Sequence, residues 1–217
     1  MKTGRLLQVA LTIAVVVFVM AASASATTIT FNTNAAGTIW IGGGLTLNST
    51  SGAAGTIVFT PDANTIVGVP SNINFGNFNL DCGVGCTTQA GGVGAVFSAT
   101  TFYMVLTDVT DSGANGIFKG TMTGGTVYLD VSPLTVTWTP LQLGPGASAG
   151  NWNLNFGTTY FTVPSFTAIV APNSFGGVTT IQGMVGSTAV PEPATLSLIG
   201  STLIGLGVLG RKRLFRK

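Results

Sequence analysis

The chain has 217 residues, of which 46% are hydrophobic and only 6% charged, with 31 glycines, two cysteines and no histidine. A charged fraction of about 25% is usual for soluble domains, so an ordinary cytosolic enzyme surface is excluded, and so is a highly charged disordered tail. Without histidine the chain lacks the commonest general base and metal ligand, and every Ser-His-Asp or Cys-His arrangement. Seven of the eight bases lie in the first five or last seven residues. Residues 27–190 hold one base, Lys119, against five acids, Asp62, Asp81, Asp108, Asp111 and Asp130, a net charge of −4. That span cannot neutralise phosphates, which excludes a nucleic-acid partner.

The first 26 residues read as a secretory signal peptide. Lys2 and Arg5 form a basic start, residues 6–22 an apolar run broken only by Gln8 and Thr12, and Ser23-Ala24-Ser25-Ala26 a small-residue cleavage site before Thr27. The sequence-level alternative is an uncleaved anchor helix. Either way the Sec translocation machinery is an implied partner, and cleavage adds signal peptidase.

Residues 27–188 are rich in Thr, Gly, Asn, Val and Phe and poor in helix formers. Stiff β-branched residues suit a pleated surface, while Gly and Asn supply turns. Period-2 runs predict strands at 28–32, 38–41, 55–60, 96–109 (one long strand or two with a bulge), 117–122, 126–131, 134–139, 151–156, 158–163, 166–171 and 178–185. Gly124-Gly125 reads as the turn of a hairpin leading into 126–131. Stretches 42–55, 72–94 and 141–150 read as loops. The fold expected is all-β, an antiparallel β-sandwich or jelly roll, with Phe59, Phe97, Phe102, Trp138, Phe156 and Phe161 in its core.

Within this body Cys82 and Cys86 are the only thiols, and the glycines between them allow the bend a local disulfide needs. A redox or metal role is the alternative, although zinc would want ligands the chain lacks. Asp108, Asp111 and Asn115 flank a Gly-rich turn and form a weak Ca²⁺ candidate; such residues more often cap their own backbone. No other metal and no cofactor is expected. Trp40, Trp152 and Tyr160 are candidates for stacking on sugar rings, against the plainer reading that they fill the core. No feature pairs the five aspartates as a glycosidase would require, and no enzyme is expected.

The tail is read from its three parts in order. Val190-Pro191-Glu192-Pro193-Ala194 is held extended by two prolines, with Pro193 suited to a helix start. Residues 194–210 are uncharged and would form a helix of roughly 25 Å at about 1.5 Å per residue, a little short of a ~30 Å hydrocarbon core. Arg211, Lys212 and Arg213, within the basic end 211–217, are retained on the cytoplasmic side and can snorkel, so the body is expected outside. A GPI signal would end in its apolar stretch, and the Leu-Pro-x-Thr-Gly motif of a cell-wall sortase signal is absent.

Taken together, Pro191-Glu192-Pro193, the apolar span and the terminal basic cluster resemble the PEP-CTERM sorting signal of exported bacterial proteins. The resemblance covers residues 189–217 and leaves the body unassigned. It implies an exosortase-type membrane protease as partner, recognising Pro191, Glu192 and Pro193, with the helix as a temporary tether. The function expected is that of a non-enzymatic surface or extracellular-matrix protein associated with exopolysaccharide and biofilm; the alternative is an adhesin-like carbohydrate-binding β-sandwich.

Overall fold

The structure, a computed structural model, describes residues 27–34, 37–110, 114–141, 147–149, 153–187 and 200–202. The first part of the body carries β1 (Thr28–Asn32), β2 (Ile39–Trp40), β3 (Thr46–Asn48), β4 (Ser51–Gly52), β5 (Thr56–Pro61), β6 (Thr65–Gly68) and β7 (Ser71–Asp81). The middle carries β8 (Ala95–Phe97), β9 (Thr100–Asp108), β10 (Ala114–Met122), β11 (Gly125–Val127) and β12 (Thr135–Leu141). Then follow β13 (Ala147–Ala149), β14 (Asn153–Phe156), β15 (Thr159–Thr162), β16 (Phe166–Ala168) and β17 (Val178–Ser187).

These strands form two seven-stranded sheets and one small one. The first sheet runs β16-β12-β10-β9-β1-β6, with β2 also pairing β9 near Phe102. The second runs β13-β14-β15-β17-β7-β5-β3, and β11-β8-β4 form the third. Every pairing is antiparallel. Alternation explains why a strand belongs where it is. In β12, Val136 and Trp138 point inward while Thr137 and Thr139 face solvent, so one side serves the core and the other stays wet.

The two large sheets meet across an aromatic core. Phe78 of the second sheet touches Trp40 at 5.6 Å, Phe102 at 5.3 Å and Trp138 at 6.3 Å between ring centroids, all on the first sheet. Phe31 meets Phe75 at 5.9 Å, and Phe59 meets Phe102 at 4.8 Å. Such pairs contribute about 0.5–1.5 kcal/mol each beyond the area they bury. The buried tryptophan Trp138 directs its Nε1–H to Thr167 Oγ1 at 2.9 Å, so its polar atom is satisfied. All six expected core residues are buried, and the body is all-β with antiparallel sheets, as the periodicity predicts.

Several expectations need correction. The run 96–109 is two strands in different sheets: β8 joins the small sheet, and β9 the first large one. Gly124-Gly125 is not a hairpin turn; β11 is only three residues long and pairs with β8. The expected loop 42–55 contains β3 and β4, and 141–150 contains β13. Most consequentially, the expected loop 72–94 opens with β7, an eleven-residue strand with β17 on one side and β5 on the other.

The physical reason lies at Gly76. Thr180 pairs Asn77 and Gln182 pairs Asn74, so Phe75 and Gly76 together oppose the single residue Ile181. This is a β-bulge, and it flips the parity of the strand. Ile73 and Phe75 point inward before it, Phe78 and Leu80 after it. Gly76 has φ +125, and a Cβ there would lie 2.6 Å from Phe59 and from the Thr60 carbonyl, so only glycine fits.

The expected signal peptide, and the expected membrane helix apart from residues 200–202, lie outside the described residues. Residues 200–202 are helical. Among the described residues no helix is long and apolar enough to cross a membrane.

Candidate functional site

The sorting residues Pro191, Glu192 and Pro193, the basic residues Arg211, Lys212 and Arg213, and also Trp152 and Asp111, lie outside the described residues. The other predicted sites can be placed. Cys82 and Cys86 form a disulfide with Cα atoms 5.8 Å apart, Cys82 buried and Val84 at the exposed tip. Asp81 at the loop's entrance accepts a hydrogen bond from the Gly83 N–H at 2.9 Å. The bridge therefore staples one short loop at the end of β7.

Trp40 is not a surface platform. It is 1% exposed and wedged between Phe78 and Phe102, so its ring belongs to the core. Of the Ca²⁺ candidate, Asp108 and Asn115 are described, and they stand on opposite faces of the first sheet. Asp108 is buried on the inward face of β9, whereas Asn115 pairs opposite Thr107 on the outward face and is exposed. Asp108 Oδ1 accepts the Thr110 N–H at 2.9 Å, and Asn115 Oδ1 accepts the Thr107 hydroxyl. No group of three potential metal ligands occurs among the described residues.

The remaining carboxylates are spread over separate loops. Asp130 Oδ1 accepts the Gln89 N–H at 2.8 Å, and Asp81 is committed to its own turn. Asp62 stands at the end of β5, where partial burial raises its carboxyl above the ordinary value by desolvation. Its backbone is held by Thr33, whose Oγ1 accepts the Asp62 N–H and whose N–H donates to the Asp62 carbonyl.

Tyr160 does stand on a surface, half-buried, at one end of an open face of the second sheet. It lies on the outward face of the second sheet, opposite Asn155 on β14 and Gly186 on β17. A Cβ at Gly186 would come 2.2 Å from Tyr160 Cζ; the ring lies across the glycine and buries it. One row further, Thr162 pairs Met184, which pairs Asn72; beside them Gln182 pairs Asn74. These side chains and Pro164 line an open groove of about 740 Å³. Beyond the bulge, Asn77 pairs Thr60 and Thr180, and Asn79 Nδ2 donates to Thr60 Oγ1 at 2.8 Å. Sequence reading missed all four asparagines of β7 because their strand was read as a loop. The signal was present as Asn alternating with Ile, Phe and Leu on either side of Gly76.

What the chain carries beyond this body is decided by its tail. Residues 189–216 match the family model of the PEP-CTERM protein-sorting motif. The tail is a PEP-CTERM sorting signal. Such a signal indicates exosortase-dependent sorting of an exported protein, with processing by an exosortase-type membrane protease and membrane-anchored delivery to the cell surface. The PEP-CTERM match does not reach the body. No curated protein matches the chain, and no solved structure does.

Proposed function

We propose that this chain is a non-enzymatic surface or extracellular-matrix protein whose body associates with exopolysaccharide once the PEP-CTERM tail has been processed. The match of residues 189–216 carries the reading. Export begins with the signal peptide at 1–26, which engages the Sec machinery. The helix at 194–210 then holds the chain in the membrane with Arg211, Lys212 and Arg213 on the cytoplasmic side. Pro191 and Pro193 keep the segment above it extended, a form in which a protease can grip the backbone and the Glu192 carboxylate. After processing the body is retained at the surface or in the matrix.

A body without enzymatic activity fits its chemistry. Histidine is absent, and Asp81, Asp108 and Asp130 are tied to backbone N–H groups of turns and loops. A second reading, a carbohydrate-binding module, is favoured by one observation, the outward face with Tyr160 and its neighbouring amides.

The sorting step is tested by replacing Pro191, Glu192 and Pro193 together with alanine. The variant is expected to accumulate unprocessed in the membrane fraction, with surface-exposed protein reduced at least tenfold. Undiminished surface delivery would contradict the reading.

A further inference from the structure

Asparagine is depleted in strands, since its side chain competes for backbone hydrogen bonds and fits a pleated surface poorly. Yet β7 places it at four outward positions, Asn72, Asn74, Asn77 and Asn79. Two of these are explained by the fold. Asn74 Oδ1 accepts the Gly76 N–H at 2.9 Å and supports the bulge, while Asn79 bonds Thr60 on the neighbouring strand. Asn72, Asn77 and the adjoining Gln182 of β17 have no intramolecular side-chain hydrogen bond among the described residues. Three primary amides thus stand on one sheet face, Asn72 and Gln182 exposed and Asn77 half-buried.

We infer that this outward face binds a neutral, hydroxyl-rich polysaccharide, with Asn72, Asn77 and Gln182 as hydrogen-bonding contacts and the Tyr160 ring, one row beyond the Asn72 end, as the stacking surface. The inference rests on the surface-protein reading above and names the site and ligand class for it.

Each amide offers a donor and an acceptor in one plane, which matches the paired hydroxyls of a sugar ring. Gln182 pairs Asn74 and so stands diagonally between Asn72 and Asn77, about 7–8 Å from Asn72, a separation on the scale of one to two sugar rings. Met184 and Pro164 add apolar contact in the groove for the C–H faces of a sugar. The groove is open, so it accepts the interior of a polymer and not only a chain end.

Charge selects the class of polymer. The only base in the described body, Lys119, lies between the buried Phe118 and Gly120 and faces outward from the first sheet, away from this face. An acidic polysaccharide would find no cation to pair with here, and Asp81 at the end of β7 would repel it. The competing occupant is a second copy of the chain, because amide ladders also stack on one another.

The test uses the full chain in mild detergent, run through native gels cast with dextran, hydroxyethyl-cellulose or alginate. Retardation by at least one of the two neutral polymers is expected, and none by alginate. The variant Asn72→Ala/Asn77→Ala/Gln182→Ala should bind at least tenfold more weakly, while Thr121→Ala/Thr137→Ala on the other sheet binds as the parent does. Retardation by alginate alone, by neither neutral polymer, or equally for parent and triple variant overturns the assignment. So does sedimentation showing that the triple variant loses only a dimer, which would make a second copy the occupant. Extraction of exported protein separates the two levels. If the triple variant stays in the extracellular polysaccharide layer like the parent, the face is wrong and the surface-protein reading stands. If the parent itself is absent from that layer, the reading fails with it.

Discussion

The two large sheets share one core but show solvent two different surfaces. The first presents threonines: Thr101, Thr121 and Thr137 stand side by side across three strands, with Thr139 one row along. The second presents four asparagines on β7 and Gln182 on β17, with Thr60, Thr162 and Thr180 on the strands beside them. Threonine is what an outward strand position favours on its own account, because its branched Cβ suits the pleat. Asparagine is not. The threonine face therefore requires no explanation beyond strand stability. The amide face does require one, since a departure from local propensity that the fold does not need points to function.

One large change and two small ones of opposite sign separate what the faces share from what distinguishes them. Phe78→Ala removes the ring that bridges both sheets and should cost about 3–5 kcal/mol, the range for truncating a buried aromatic side chain. Denaturant unfolding followed by tryptophan fluorescence is expected to show a single transition at lower denaturant; two separated transitions would mean that the sheets do not share a core. A much smaller effect is expected from exchanging the face residues themselves. Asn72→Thr/Asn77→Thr should raise stability by a few tenths to about 1 kcal/mol, and Thr121→Asn/Thr137→Asn should lower it by a similar amount. The same unfolding curves check both signs. If the asparagine replacements prove destabilising, the amides are structural and the contrast between the faces disappears.

How much of this was legible in the sequence depended on whether the relevant pattern is local. β1 falls at 28–32 as expected, and β12 within two residues, since unbroken alternation of apolar and polar residues marks a half-buried strand directly. The tail was legible for the same reason: its tripeptide, apolar span and basic end are contiguous. β7 was hidden by the parity change at Gly76, which breaks a period-2 count in the middle of the strand, and by asparagines that argue for turns when met one at a time. The partition of 96–109 between two sheets was hidden because pairing of β8 with β4 and β11 is a long-range fact. Trp40 beside three glycines looked available for a ligand; only the neighbouring strands reveal that Phe78 and Phe102 enclose it. The amide face was out of reach for a related cause. Asn72 and Gln182 are more than a hundred positions apart in the chain and share a face only once β17 is laid against β7 in register.

The most direct test of the account as a whole is the intact mass of the protein recovered from the cell surface and its matrix. The account predicts a species well below the 21.9 kDa of the full chain, beginning at Thr27 and lacking the basic end 211–217. A surface species that retains both the first 26 residues and the complete tail would contradict it.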